Sequence, residues 1–155
     1  MTTRRDAAVE LLFEYVARID ADRLEEWLDL FTEDARYQVV PRENVEQDLP
    51  ASVILCTNKN MLRDRIVSLR EANEYNLHYC LHLVSAPRVV ELGDDRVRLR
   101  ATYSVFQTDL EGNSKLFAVG EYDDEIAFLD GGPLFAKKYV VLDSYCVPNL
   151  LAVPL

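Results

Sequence analysis

The chain has 155 residues, a length that forms about one domain and buries roughly two thirds of the surface of the unfolded chain. Its 27 acidic residues against 17 basic ones give a formal net charge of −10. Such a chain repels a nucleic-acid backbone and an anionic membrane surface, because binding to either needs clustered Lys and Arg. The charge therefore argues against both as partners.

Targeting and cysteine signals point to the cytoplasm. No apolar run approaches the roughly 20 residues that cross a bilayer. The basic start of the chain continues into an acidic, helical pattern instead of a signal-peptide core. Cys56, Cys80 and Cys146 are far apart and form no Cys-x-x-Cys pair, which favours free thiols in a reducing compartment. A catalytic cysteine would need a histidine partner, which the sequence alone does not place.

The first part of the chain predicts three amphipathic helices. A helix-period stripe over residues 5–19 consists of Val9, Leu12, Phe13, Val16 and Ile19. The same spacing returns in Leu24, Trp27, Leu28 and Phe31, and again, from about Asn58, in Met61, Leu62, Ile66 and Leu69. A capping side chain for the second helix is available in Asp20 or Asp22, and one for the third in Asn58.

The segment between these helices predicts short strands and a loop. Tyr37, Val39 and Val40 indicate a strand that ends at Pro41. The polar residues 42–50 show no apolar period and predict an exposed loop, and residues 53–56 predict a second short strand.

From residue 77 the pattern changes to the alternation of a sheet. Four long strands are predicted over residues 77–92, 96–108, 115–129 and 134–143. Their turns are too short for helical crossovers, so the strands should be antiparallel. Three helices followed by a long antiparallel sheet predict an α+β fold and a single domain over residues 1–155. A sheet this long must curl into a cone that the helices close. This outline resembles the nuclear-transport-factor-2-like fold, in which the open end of the cone is often a pocket.

His78 and His82 are the only histidines and lie four residues apart on one predicted strand, hence on one face. They could be metal ligands, but a third ligand is missing from the pattern, and Cys80 between them does not complete a known motif. One of them could act as a general base with Asp34 or Asp20, as in a metal-free dehydratase, isomerase or cyclase. A histidine that is hydrogen-bonded in the sheet or at an interface is favoured over both. We therefore predict no catalytic, cofactor-binding or metal residue.

Two other features bear on function. Within the run 123–125, alternation sends Asp124 to the face opposite its neighbours, so the run indicates a solvated face or a contact with a basic partner. Lys137 and Lys138 on the next strand could neutralise part of the negative charge of this run.

The apolar tail over residues 145–155 holds two prolines and should be covered by its own domain or by another subunit, which indicates obligate assembly. Trp27 is predicted to be a core residue.

Six short motifs resemble, in their order, the small (β) subunits of aromatic-ring-hydroxylating dioxygenases, which are Rieske-type non-haem iron enzymes. They are Trp27-x-x-x-Phe31-x-x-Asp34-x-x-Tyr37, Asn44, Met61-Leu62-x-Asp64-Arg65, His82-Leu83-Val84-Ser85, Gly120-x-Tyr122, and Val141-Leu142-Asp143-Ser144 with Pro154-Leu155. Residues 42–44, 49–50 and 70–73 look most like subunits from oxygenases of aromatic carboxylates such as terephthalate or salicylate. The chain departs from the pattern at Leu81, where many members have arginine, and at Ala86, where many have asparagine.

The resemblance implies a structural, non-catalytic subunit that braces iron-bearing large (α) subunits in an α₃β₃ hexamer for the catabolism of aromatic compounds. The Rieske [2Fe–2S] cluster and a mononuclear iron would lie in the α subunit, with electrons from NAD(P)H through a reductase and a ferredoxin. It also implies a subunit interface that includes Trp27, Tyr37, Asn44, Arg63, Asp64, Arg65, His82 and Leu155.

Overall fold

The structure is a computed structural model that describes residues 1–72, 79–143 and 154–155. The helices are α1 (Arg4–Asp20), α2 (Leu24–Trp27), which continues into a 3₁₀ turn (Leu28–Leu30), α3 (Arg42–Glu46) and α4 (Lys59–Ala72). The strands are β1 (Phe31–Pro41), β2 (Ile54–Cys56), β3 (Tyr79–Gly93), β4 (Arg96–Thr108), β5 (Ser114–Leu129) and β6 (Gly132–Leu142).

The described strands form one sheet in the order β2-β1-β6-β5-β4-β3. Strands β3 to β6 form an antiparallel meander, as the turn compositions predict, and β1 adds to it parallel to β6. The predicted α+β class and the curved, mainly antiparallel sheet are therefore confirmed. In this order β3 lies at one edge of the described sheet, next to β4 only.

The sheet bends at irregular positions in its long strands. The register shifts between Ser85 and Arg88 and between Val105 and Phe106, and such bulges increase the local twist and curvature. At Gly120 the neighbouring strand comes so close that a Cβ atom would lie 1.9 Å from the carbonyl oxygen of Val141. Only glycine permits this approach.

Helix α1 lies across the concave face of the sheet. Thr3 caps it by accepting from the backbone N–H of Asp6, whose side chain accepts in return. The helix is predicted correctly, but its buried stripe is rotated, because Tyr15 is completely buried and Phe13 is 43% exposed. Tyr15 packs edge-to-face against Phe31, Tyr122 and Phe135, with ring centroids 6.3, 6.0 and 5.5 Å away.

The second predicted helix is wrong in its extent. It ends after one turn of α-helix and one 3₁₀ turn, and Phe31 already has the extended backbone of β1. The predicted caps are also wrong: Arg23 holds the capping position without a side-chain bond. The carboxylate of Asp20 binds His82 and that of Asp22 binds Arg70. The two carboxylates therefore bind residues that are distant in the sequence and do not cap α2.

The predictions for residues 42–50 and for helix α4 are partly wrong and partly confirmed. The predicted loop from residue 42 begins with the short helix α3. The cap of α4 is confirmed, because Asn58 Oδ1 accepts from the backbone N–H of Met61 at 2.9 Å. Leu62 and Ile66 are buried as predicted, whereas Met61 is 39% exposed. Its sulfur accepts from the hydroxyl of Thr57 at 3.2 Å.

Candidate functional site

The end of α1 is tied to the edge of the sheet through a histidine and a carboxylate. His82 Nδ1 lies 2.6 Å from Asp20 Oδ1, and the backbone N–H of His82 donates to Asp20 Oδ2 at 2.9 Å. Both carboxylate oxygens of Asp20 are therefore used by one residue of β3. The imidazole is fully buried, and its Nε2 has no hydrogen-bond partner among the described residues.

This pair has the arrangement of an oriented base, with a carboxylate that fixes the ring tautomer. The structure brings Asp20, and not Asp34, to His82: Asp34 is exposed on β1 and accepts from Thr32 Oγ1 at 3.0 Å. His78 lies outside the described residues. The pair joins the end of α1 to β3, since both carboxylate oxygens of Asp20 contact His82.

A buried ion pair lies in the middle of the concave face. Lys138 Nζ lies 2.6 Å from Asp124 Oδ2, and both side chains are completely buried. The ammonium also sits 3.3 Å from the ring centroid of Tyr122 and 4.4 Å from that of Tyr15, an arrangement that favours a cation. Burial raises the pKa of Asp124 to about 6 and lowers the pKa of Lys138 to about 8, against the mutual attraction of the two charges.

The placement of Asp124 corrects the interpretation of its run as a solvated face. The predicted alternation is right, and so is neutralisation by Lys138, but the face that Asp124 occupies is the core. Its neighbours Asp123 and Glu125 lie on the other side, where they bind Arg98 and Arg96. The alternation along β5 predicted correctly which way the Asp124 side chain points. It could not show that the concave face excludes water at this position.

The described end of the apolar tail enters the cone. Leu155 is 1% exposed. Its backbone oxygen accepts from the hydroxyls of Tyr15 and Tyr37, the latter at 3.4 Å, and its N–H donates to the Tyr37 hydroxyl at 3.2 Å. Leu155 is therefore covered by its own domain, which is one of the two predicted alternatives. Residues 144–153 of the tail lie outside the described residues. Beside Leu155 is a cavity of about 20 Å³, room for about one water molecule.

The convex face of the sheet has an ionic half and an apolar half. The ionic half pairs Arg98 with Asp123 at 2.6 Å, and Arg96 with Glu125. The apolar half, here called the apolar corner, consists of exposed side chains on β3 and β5: Leu81, Leu83, Leu116 and Val119, which are 54, 52, 56 and 37% exposed. It borders a groove of about 340 Å³ that Ser104, Glu121 and Asp143 also line. Apolar side chains beside a sheet edge are typical of an association surface.

The eight predicted interface residues fall into two groups. Trp27, Tyr37, His82 and Leu155 are buried inside the chain, at 1, 2, 6 and 1% exposure. They can influence a partner only through the residues that cover them. Of the other four, Arg63, Asp64 and Arg65 are exposed, and Asn44 is half-buried, with its Nδ2 donating to the Ala51 carbonyl at 2.9 Å.

The apolar corner was missed by sequence reasoning. A signal existed in Leu81-His82-Leu83-Val84, where apolar residues point to both faces of one strand instead of one. The burial of Lys138 could not be predicted in the same way, because a lysine in an alternating strand predicts a solvent-exposed position.

Within the described residues no group of three or more His, Cys, Asp or Glu side chains could hold a metal ion. In the same part of the chain, no helix has the length and apolar character to span a membrane.

A comparison with protein families decides the affiliation. Residues 16–149 match the family model described as the ring hydroxylating beta subunit. The chain belongs to this family. The resemblance carried by the six motifs is thereby confirmed.

Relatives within this β-subunit family cover almost the whole chain. The anthranilate 1,2-dioxygenase small subunit of Burkholderia cepacia is 40% identical over 141 residues, which are 91% of this chain and 88% of that one. The terephthalate 1,2-dioxygenase terminal oxygenase component subunit beta 2 of a Comamonas species is 32% identical over 91% of this chain and 92% of that one.

Solved structures agree with the cone. The β subunit of a candidate aromatic-ring-hydroxylating dioxygenase from Novosphingobium aromaticivorans superposes with a TM-score of 0.89 at 36% identity, over 97% of this chain and 96% of that one. A candidate scytalone dehydratase from the same organism gives a TM-score of 0.72 at 16% identity, over 95% and 89% of the two chains, which shows the fold alone. The nuclear-transport-factor-2-like cone is thus confirmed.

Proposed function

We propose that this chain is the structural, non-catalytic β subunit of a multicomponent aromatic-ring-hydroxylating oxygenase, and that it braces α subunits in the catabolism of aromatic compounds. The observation that carries the proposal is the family match over residues 16–149. The role of Asp20 agrees with it, since both carboxylate oxygens are used to hold His82 and its backbone in place. The whole of residues 1–155 acts as one β-subunit domain in this proposal.

The partner in this proposal is an α subunit in an α₃β₃ hexamer. The α subunit carries the Rieske [2Fe–2S] cluster and the mononuclear iron, and it receives electrons from NAD(P)H through a reductase and a ferredoxin. Relatives are named for anthranilate and terephthalate, both aromatic carboxylates. Their names support an aromatic carboxylate as the substrate of the assembled enzyme, and the cytoplasm is its proposed compartment.

Contact with the partner is assigned in this proposal to two exposed regions. One is the apolar corner, where Leu81 and Leu83 lie on the edge strand. The other includes the exposed residues Arg63, Asp64 and Arg65 of α4 and the half-buried Asn44 of α3. A large apolar side chain at the centre of an interface carries more binding free energy than a charged side chain at its rim. The apolar corner is therefore the better place to test.

Co-expression of the tagged chain with the α subunit from the same source tests the proposal. The complex should co-purify, contain iron and hydroxylate an aromatic carboxylate, whereas the chain alone should do none of this. Leu83→Asp should lower the recovery of the α subunit by about tenfold, because it places a charge in a desolvated contact. Leu129→Asp is the matched control, since Leu129 is 53% exposed at the distant end of β5.

The competing function is an autonomous cone-fold dehydratase, isomerase or cyclase that uses His82 and Asp20. His82→Gln discriminates between the two. In a β subunit it should lower the melting temperature and leave the turnover of each assembled complex within about twofold. If the chain alone turned over a small aromatic or polyketide substrate, and His82→Gln abolished that activity while the fold stayed intact, the structural function would be wrong.

A further inference from the structure

The ionic half of the convex face is sorted by charge, strand by strand. Alternate residues of β4 are arginines and alternate residues of β5 are carboxylates, so each set points outward from one face of the sheet. We call the first set the basic row and the second the acidic row: Arg96, Arg98 and Arg100, and Glu121, Asp123 and Glu125. The six side chains are between 28 and 57% exposed. The convex face therefore carries a positive row directly beside a negative one.

The two rows bind one another within the chain without using all their capacity. Arg98 donates two hydrogen bonds to Asp123, of 2.7 and 2.6 Å. Glu121 lies 3.9 Å from Arg100 and 3.6 Å from Arg42, too far for a hydrogen bond to either guanidinium. A guanidinium has five N–H donors and a carboxylate about four acceptor sites. A charged partner that approaches from the solvent can therefore still be bound by both rows.

The same two strands become apolar towards one end. On β5 the acidic row is followed by Val119 and Leu116 of the apolar corner. On β4 the basic row leads to Ser104 and Phe106, which are half-buried and pair in register with Val119 and Leu116. Along β4 and β5, the convex face thus has a charged end and an apolar end.

This distribution is complementary to itself. A two-fold axis that runs between β4 and β5, parallel to the strands and just outside the sheet, turns a second copy face to face with the first. Strand β4 of each copy then lies over β5 of the other, so that the basic row meets the acidic row twice. Positions along the strands are unchanged by this rotation, and Phe106 of one copy therefore meets Leu116 of the other. Such a contact is isologous, and sheets commonly pack face to face at about 30° to one another.

We propose that the convex face is a docking surface for a second copy of this chain, and that the free chain forms a two-fold dimer in which each basic row lies on the acidic row of the other copy. This dimer covers part of the apolar corner, so that a second copy and an α subunit bound at that corner exclude one another. The inference goes beyond the proposed function and does not rest on it, because its test uses this chain alone.

The net charge of the chain makes the proposal sharp to test. Two copies with a net charge of −10 each repel one another at long range. A change of any acidic residue to lysine lowers this repulsion, so on net charge alone it should strengthen self-association. In the acidic row the same change should weaken self-association, because it places a lysine against the basic row of the other copy. Net charge and the proposed contact thus predict opposite signs.

The test compares Arg98→Glu and Asp123→Lys, alone and mixed, by sedimentation equilibrium. The matched controls are Arg5→Glu and Glu10→Lys, exposed positions of α1 on the other side of the sheet. Each row variant alone should dimerise at least about tenfold more weakly than the wild type, because like charges meet twice. Each control should stay within about threefold of it. An equimolar mixture of the two row variants should recover wild-type affinity within about threefold, since opposite charges then meet at both places.

Three results would overturn the proposal. The first is a wild-type chain that stays monomeric up to about 1 mM. The second is an assembly, whether a dimer or a trimer, that neither row variant weakens; strand pairing along the β3 edge would give this result. The third is a loss in both row variants that mixing does not restore. Melting curves establish that each variant is folded, and Arg100→Glu, in the same row and 57% exposed, replaces Arg98→Glu if that chain does not fold.

Discussion

Asp123 and Asp124 are neighbours on β5 and form ion pairs of the same length in opposite surroundings. Asp123 binds Arg98 at 2.6 Å on the convex face, where the arginine side chain is 48% exposed. Asp124 binds Lys138 at 2.6 Å on the concave face, where neither side chain is exposed. Equal distances therefore conceal different energetics. Water screens the outer pair and makes either partner dispensable, whereas burial makes each inner charge depend on the other.

The largest effect is expected from breaking the inner pair. Lys138→Met leaves Asp124 as a buried carboxylate without its counter-ion, and should lower the free energy of unfolding by about 3–5 kcal/mol at neutral pH. Urea unfolding followed by circular dichroism measures it. The loss should shrink at acidic pH, where Asp124 takes up a proton. A loss that stays constant with pH would contradict the role of the unpaired charge.

Replacement of both partners should recover much of that loss. Asp124→Leu combined with Lys138→Met removes two buried charges and keeps apolar volume beside Tyr15 and Tyr122. We expect the double variant to lie within about 2 kcal/mol of the wild type, because desolvation offsets most of the attraction in a buried pair. The same urea experiment decides it. A double variant no more stable than Lys138→Met would mean that the pair is needed for the register of β5 and β6.

The pH dependence should separate the two partners of the inner pair. The pKa of Asp124 is about 6 in the folded chain against 3.8 ordinarily, so the folded state binds the extra proton and stability falls as pH rises from about 4 to 6. The pKa of Lys138 is about 8 against 10.5, so the unfolded state binds more protons and stability rises from about pH 8 to 10.5. The difference between the wild type and the double variant should show both slopes.

The smallest effect is expected from the outer pair. Arg98 lowers the pKa of Asp123 through their hydrogen bonds, yet about half of the arginine side chain is exposed to water. Arg98→Ala should change the free energy of unfolding by about 0–1 kcal/mol, and less in 1 M salt. Melting curves at two ionic strengths measure this. A loss comparable to that of Lys138→Met would show that the convex face is not solvated in the way the exposed side chains indicate.

The sequence predicted most elements, because their signals are local. The alternation of β4 fixed which of its residues are buried, and Asn58 marked the start of α4. Phe31 was misassigned because its spacing from Trp27 satisfies a helix, while the observed strand depends on pairing with Phe135, far along the chain. Spacing alone cannot choose between these partners.

The functional features were harder to predict, since their partners are distant in sequence. Asp20 and His82 are 62 positions apart, and Leu155 meets Tyr15 across 140. No local pattern reports such contacts. The six motifs identified the family correctly, although residue spacing did not predict these contacts. A family resemblance depends on matching residues in order and needs no knowledge of which residues touch.

The exposed edge at β3 has a consequence for how the chain must be produced. Among the described strands β3 pairs with β4 only, and an edge strand that carries the exposed Leu81 and Leu83 is a template for a strand of another chain, including a second copy. We expect a surplus of this chain over its partner to self-associate through this edge at high concentration. Matched dosage of the two genes would then keep the edge covered in the cell, and an unbalanced expression plasmid should yield oligomers of the chain beside the complex.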